Sequence, residues 1–350
     1  MSINHVFDFI IQWHLTEKCN LHCRHCYQTG TGNTELPLSE IKEIIGEIAD
    51  TLSAWKKLYG VSFSPSFNIT GGEPLLRRDL FDILSDITEH GFDIYLLTNG
   101  TLIDKKKAGE LNALGVKGVQ VSIEGTEATH ESIRGKGSYS ASIKGVRSLL
   151  DAGLKVTLNV TLSALNADDF MSLIGLSSDL GVHRLGFSRL VPSGRGGALL
   201  SEMLPADTVK TLYERIFSAN TVSPEIVTGD PVASQSLTKT DTGDFGNIPT
   251  GGCAAGISGM TILPDGTLLP CRRLYVPIGN IRKDSLREVW ATSDVLNALR
   301  DRKRYKGKCG DCNRWAQCRG CRAIAYAYSI SKGRPDILAE DPQCFIECDR

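Results

Sequence analysis

Cys19-Asn20-Leu21-His22-Cys23-Arg24-His25-Cys26 sets three thiols at C-x3-C-x2-C spacing just after a strand-like run, Phe9–Leu15. Three thiolates that close together on one loop can ligate three irons of an iron–sulfur cube, leaving a fourth iron without a protein ligand. Such an open iron can bind a group from outside the protein chain. The spacing alone also admits a zinc ion completed by His22 or His25.

The chain around this stretch favours the cluster. Short strand-like runs recur at Ser66–Thr70, Asp93–Thr98, Gly118–Ile123, Lys155–Thr161 and Arg184–Arg189. Amphipathic stretches separate them at Ser39–Ser53, Asp79–His90, Lys105–Leu114, Ser140–Ala152 and Asp168–Leu180. Ser39 and Asp168 read as N-caps, and Gly91, Gly115, Gly153 and Gly181 as helix stops. Alternating β and α elements predict parallel strands with right-handed crossovers, and six repeats predict a partial barrel. Chemistry in such a fold sits at the C-terminal strand ends. There the sequence places Gly71-Gly72-Glu73-Pro74, Thr98-Asn99-Gly100 and Ser122-Ile123-Glu124-Gly125. The backbone carbonyls and carboxylate of the first of these could grip an ammonium group.

The three-cysteine stretch followed by Gly71-Gly72-Glu73-Pro74 resembles the radical SAM superfamily, from about residue 9 to 197. The resemblance implies an α/β fold with a partial (β/α)6 barrel. It also implies reductive cleavage of S-adenosylmethionine to methionine and a 5′-deoxyadenosyl radical that takes a substrate hydrogen. By that resemblance Cys19, Cys23 and Cys26 hold a [4Fe–4S] cluster, and Gly71, Gly72, Glu73 and Pro74 meet the methionine amine. Asn99 joins the cofactor site, Ser122 and Glu124 lie near ribose or methionine, and Tyr27 lies against adenine or packs in the core. His130-Glu131-Ser132-Ile133-Arg134-Gly135 resembles the family's H-[DE]-x-x-R-G stretch, with Arg134 near the cofactor carboxylate. His25 stands where the family usually has an aromatic residue.

The chain has eleven cysteines, none of them between Cys26 and Cys253. An odd total in short-spaced groups argues for metal ligation over disulfides. Cys253, Gly266-x4-Cys271, Cys309-x2-Cys312-x5-Cys318-x2-Cys321 and Cys344 form a second pattern, with Cys348 beyond it. Paired C-x2-C units also suit zinc. The pattern resembles the SPASM extension, although Cys318 and Cys321 are one residue closer than in that family. The resemblance implies two auxiliary [4Fe–4S] clusters: Cys309, Cys312, Cys318 and Cys344 at the distal one, and Cys253, Cys271 and Cys321 at the nearer one. Either Cys348 completes the nearer set, or that cluster keeps an open iron for substrate and Cys348 is a spare surface thiol. Met260–Leu263 and Thr267–Leu269 flank Pro264-Asp265-Gly266 as a β-hairpin, and Ser285–Arg300 reads as one helix. The expected organisation is a barrel over 1–200, a helix plus linker or flap over 201–252, and a small cysteine-rich SPASM/twitch domain over 253–350.

Formal net charge is −1, so no global field favours nucleic acid or an anionic membrane. The apolar run Val6–Trp13 is too short for a span and lacks the features of a signal peptide. A cytoplasmic enzyme is expected, without nucleic-acid or membrane partners and served by an electron donor such as flavodoxin or ferredoxin. The resemblance points to a maturase of a ribosomal precursor peptide, closest to thiazole/oxazole-associated maturases. The alternative is a tetrapyrrole (haem-pathway) enzyme that removes carboxyl groups or side chains. With 18 residues ahead of Cys19, an N-terminal peptide-recognition domain of the kind some maturases carry is not expected. Arg189 and the Ser193-Gly194-Arg195-Gly196-Gly197 loop are further candidates for a substrate or cofactor carboxylate.

Overall fold

The computed structural model describes residues 6–28, 34–219, 221, 223–237 and 248–346. Six strands, β1 (Val6–His14), β2 (Ser62–Thr70), β3 (Asp93–Thr98), β4 (Gly118–Ser122), β5 (Val156–Leu162) and β6 (Arg184–Arg189), lie side by side in chain order, all parallel. The crossovers carry helices α1 (Leu38–Tyr59), α2 (Leu80–Glu89), α3 (Lys105–Ala113), α4 (Glu127–Arg134), α5 (Ser138–Asp151) and α6 (Phe170–Leu180). Gly91, Gly115, Gly153 and Gly181 all follow helix ends with φ between 72° and 80°, the left-handed geometry that stops a helix. α1 runs past the expected Ser53 to Tyr59, because Leu52 and Trp55 continue its buried stripe. Its N-cap is Pro37, not Ser39.

The strands alternate between two environments. Along β5, Val156, Leu158, Val160 and Leu162 are buried, whereas Thr157, Asn159 and Thr161 are half-buried. The apolar row joins one core with Phe9, Ile11, Trp13, Phe67, Ile69, Val119 and Val121, packed against the helices. The polar row, Gln120, Ser122, Asn159, Thr161 and Ser188, lines a cavity inside the curved sheet. The period of two thus gives an apolar outside under the helices and a polar lumen.

Two further strands extend the parallel row. α7 (Ala206–Ser218) leads to β7 (Glu225–Thr228), which pairs with β6 inside the stretch expected to be a linker or flap. The hairpin of β8 (Gly259–Ile262) and β9 (Thr267–Leu269) forms as expected, with Thr267 N–H donating to Asp265 at 3.0 Å. β8 also pairs in parallel with β1, and β10 (Gly279–Asn280) pairs with β9, so all ten strands make one sheet. Gly259 permits the first join: a Cβ there would stand 2.0 Å from the Ile10 carbonyl oxygen. The expected helix 285–300 is two helices, Leu286–Thr292 and Asp294–Arg300. Ser293 leaves helical geometry between them and caps the second through its side chain. Among the described residues no helix is long and apolar enough to cross a membrane.

Candidate active site

The cysteine loop leaves β1 at the C-terminal end of the sheet and is held by two neighbouring strand-end loops. On one side Gly72 N–H donates to the Thr16 carbonyl (2.7 Å) and Glu73 N–H to that of Lys18 (2.8 Å). A Cβ on Gly71 would lie 2.3 Å from the Thr16 oxygen, and one on Gly72 2.2 Å from the Lys18 oxygen. The paired glycines are therefore required by backbone-to-backbone contact. On the other side Gly196 N–H donates to the Cys26 carbonyl (3.1 Å), and a Cβ on Gly194 would meet the Tyr27 and Gln28 carbonyls at 2.6 Å.

Cys19, Cys23 and Cys26 share a cavity of about 420 Å³ with Tyr27, Gly71, Gly72, Asn99, Ser122 and Arg134. Arg134 Nη1 lies 3.7 Å from Cys23 Sγ, and burial followed by this guanidinium's opposing charge leaves the Cys23 thiol pKa raised. His25 Nε2 turns to Glu124, 3.2 Å from its Oε1. Among the described residues no three His, Cys, Asp or Glu side chains converge on one point, as a single zinc ion would need. Three thiols around a roomy, polar cavity fit a cluster with one open iron.

Glu73, Pro74 and Glu124 are not on the cavity wall. Glu73 is fully buried, and it accepts from Thr98 Oγ1 (2.8 Å), Asn99 N–H (2.8 Å) and Leu75 N–H (3.2 Å). Its carboxylate thus ties its loop to the end of β3, leaving Gly71 and Gly72 to face the cavity. Gln28 Nε2 donates to the Gly71 carbonyl. Glu124 is likewise fully buried and bonds Arg134 Nε at 2.8 Å, His25, and Thr161 N–H at 2.9 Å. Burial alone would raise its pKa, but Arg134 and His25 outweigh it and hold the carboxyl well below the usual range. Asn99 links to the cysteine loop through Asn20 at 2.9 Å. Tyr27 packs by its hydroxyl against His14 Nε2 (3.4 Å) and under Arg272, 5.9 Å from its ring centre. His14, Gln28, Gln120, Asn159, Arg272 and Arg273 were not singled out from the sequence. For Gln120 and Asn159 the signal was present, as the polar members of otherwise apolar strands.

Arg189 stands at the end of β6, but its guanidinium is consumed in a buried network. It bonds Asp230 (2.6 and 2.9 Å), Asp341 (2.8 and 3.0 Å) and Gln343 (2.9 Å). Tyr213 donates to Asp230 at 2.8 Å, and Cys321 N–H donates to Asp341 at 2.7 Å. One cation thus joins barrel, β7 flank and cysteine-rich region.

The later cysteines fall into two groups. Cys309, Cys312, Cys318 and Cys344 surround one small cavity, with Gln235 Nε2 within 3.6 Å of Cys318 Sγ and 3.4 Å of Cys344 Sγ. Cys253, Cys271 and Cys321 line a second, larger cavity of about 250 Å³. Burial pushes the Cys318 and Cys321 thiol pKa values up to about 12. The ten described cysteines form no disulfide. Cys348 lies outside the described residues.

A partial barrel with a polar lumen, a three-thiol loop at its mouth and two further thiol sets beside it define an iron–sulfur radical enzyme. The chain belongs to the radical SAM superfamily, whose description it matches over residues 13–176, and carries a SPASM iron–sulfur cluster-binding domain over residues 253–322. As a member of that superfamily it uses S-adenosylmethionine and a [4Fe–4S] cluster, and its SPASM domain binds iron–sulfur. It is similar to an AdoMet-dependent heme synthase of Methanosarcina barkeri, 32% identical over 96% of this chain and 95% of that protein. It is also similar to the mycofactocin maturase MftC of Mycobacterium tuberculosis, 29% identical over 95% of this chain and 82% of that protein. In fold it is similar to Streptococcus suis SuiB bound to precursor peptide SuiA, with TM-score 0.75 and 18% identity over 97% and 76% of the two chains.

Proposed function

We propose that this enzyme modifies a ribosomally made precursor peptide in the cytoplasm, with a flavodoxin or ferredoxin as electron donor. The observation that carries this reading is a groove made of two adjoining cavities. The 420 Å³ and 250 Å³ cavities share Gln120, Asn159, Ser188, Arg272 and Arg273 as a common wall between the first cysteine set and the nearer SPASM set. Side-chain amides at Gln12, Gln120 and Asn159, which both donate and accept, stand there beside apolar groups such as Phe187, Met260 and Pro270, a mixed lining that suits the backbone and side chains of a peptide. The likeness to a mycofactocin maturase agrees with this reading.

In it, Cys19, Cys23 and Cys26 hold the first cluster. The Gly71 and Gly72 carbonyls and Asn99 receive the cofactor's amino end, Arg134 its carboxylate, Ser122 its ribose, and Tyr27 its adenine. Glu73, Pro74 and Glu124 act at one remove by fixing the loop and Arg134. When bound, the cofactor supplies a radical that takes a hydrogen atom from substrate. The protein's part is to hold one substrate carbon at that point and exclude water. Cys253, Cys271 and Cys321 would hold a nearer auxiliary cluster, and Cys309, Cys312, Cys318 and Cys344 a distal one, whose chemistry would be to accept an electron left by substrate oxidation.

A tetrapyrrole substrate is the second reading, favoured by the likeness to heme synthases along nearly the whole chain. Incubating reconstituted enzyme with S-adenosylmethionine, reductant and either a neighbouring precursor peptide or an iron porphyrin carboxylate separates the two by product mass. A mass change on the porphyrin alone overturns the peptide reading. Replacing Cys19, Cys23 or Cys26 by Ala abolishes deoxyadenosine formation in either case. Cys344→Ala spares it and loses product.

A further inference from the structure

The groove wall carries more positive charge than the protein itself balances. Arg134 is paired with Glu124, and Arg189 with Asp230 and Asp341. Arg272 and Arg273, side by side on the wall common to both cavities, have no ion-pair partner among the described residues. Arg273 Nη1 donates to the Arg189 carbonyl at 3.3 Å and is drawn toward the thiols of Cys321 and Cys271. Arg272 reaches the other way, over Tyr27 and toward His14. Carboxylates that might have neutralised it are engaged elsewhere: Glu73 with β3, Glu124 with Arg134, Asp230 and Asp341 with Arg189. A half-buried guanidinium facing a polar cavity without an anion is costly, and its planar fork matches a carboxylate in two hydrogen bonds.

We infer that Arg272, backed by Arg273, grips a carboxylate of the substrate and so places the adjoining carbon beside Gln120, Asn159 and Ser188, between the two cysteine sets. This rests on the groove being the substrate site and deepens that reading: the substrate presents an anionic group, from a peptide terminus or acidic side chain, or from a porphyrin's propionate. The competing role is charge compensation for the nearer thiolate set, which suits Arg273 better than Arg272.

Arginine modification by phenylglyoxal, mapped by mass spectrometry on reconstituted enzyme with S-adenosylmethionine bound, tests this without turnover. Arg272 is expected to be labelled readily and protected by glutarate, by trialanine and by coproporphyrin III, but not by dimethyl glutarate, trialaninamide or the porphyrin tetramethyl ester. The acid that protects at the lowest concentration identifies the source of the carboxylate. Equal protection by esters and acids, or none by any, overturns the inference. Arg272→Gln should keep its iron content and the spectroscopic signature of the nearer cluster, while its affinity for the protecting acid drops roughly tenfold or more, the worth of a charge-assisted pair. If the variant instead alters that signature and binds the acid as before, Arg272 serves the cluster and the inference fails. Should the variant lose its clusters, the protection data on the unaltered enzyme still decide. Because labelling reads only the carboxylate contact, failure of the peptide reading leaves the result interpretable.

Discussion

Glu124 has no exposed surface, yet it stays charged because Arg134 and His25 surround it. Removing one member of a buried pair leaves the other uncompensated, which costs about 3–5 kcal/mol. Glu124→Ala should therefore lower urea stability by about that amount and raise the KM for S-adenosylmethionine, since Arg134 loses its anchor. His130 accepts from Glu124 N–H at 3.2 Å. Burial, with Arg134 nearby, lowers its pKa from 6.5 to about 4. The unfolded chain takes a proton below 6.5 that the folded chain refuses, so this stability is full above that pH and is lost as pH falls toward 4. Between pH 7 and pH 5 it amounts to about 2 kcal/mol, and His130→Gln should lose correspondingly less over that interval in anaerobic urea unfolding. Arg134 was legible from its H-E-x-x-R-G setting. That His25 would pair with Glu124 was not, since the two are far apart in sequence and meet only across the barrel mouth.

At the scale of elements, loops rather than strands set the position of the first cysteine group. The sequence shows Gly71-Gly72 before Glu73, and Gly194 in the loop after β6, without saying what presses against them. The structure supplies the answer for Gly71, Gly72 and Gly194: carbonyl oxygens of the cysteine loop and its flanks stand where a Cβ would be. Gly72→Ala should push that loop off its seat, and the measurable outcome is loss of the first cluster's iron and of deoxyadenosine formation while the later cysteines keep theirs. Strand positions were readable to within a few residues because apolar runs bounded by turn residues are local signals. β7 was missed: Glu225–Thr228 is short and half-buried, and it becomes a strand through pairing with β6.

At the scale of the molecule, the barrel and the cysteine-rich region share a sheet through β1 and β8 and an ion network through Arg189. Arg189→Met would strand two buried carboxylates. It should weaken the seat of the later cysteines by about 3–5 kcal/mol, with iron content falling from about twelve toward four per chain and deoxyadenosine formation largely kept. Retention of all the iron would show that strand pairing alone holds the two parts together.

By itself the sequence determined the kind of chemistry. Thiol spacing, polar strand ends and helix-stopping glycines are local patterns, and each constrains its own neighbourhood whatever the rest of the chain does. Only the tertiary structure decided that Glu73 and Glu124 stand behind the cavity wall rather than on it. It also decided that Arg189 is a tie rather than a ligand-binding group, and that Arg272 lies open between two cavities. Those outcomes depend on which charges meet across distant strands, and a buried charge is defined by its partners rather than by its place in the chain.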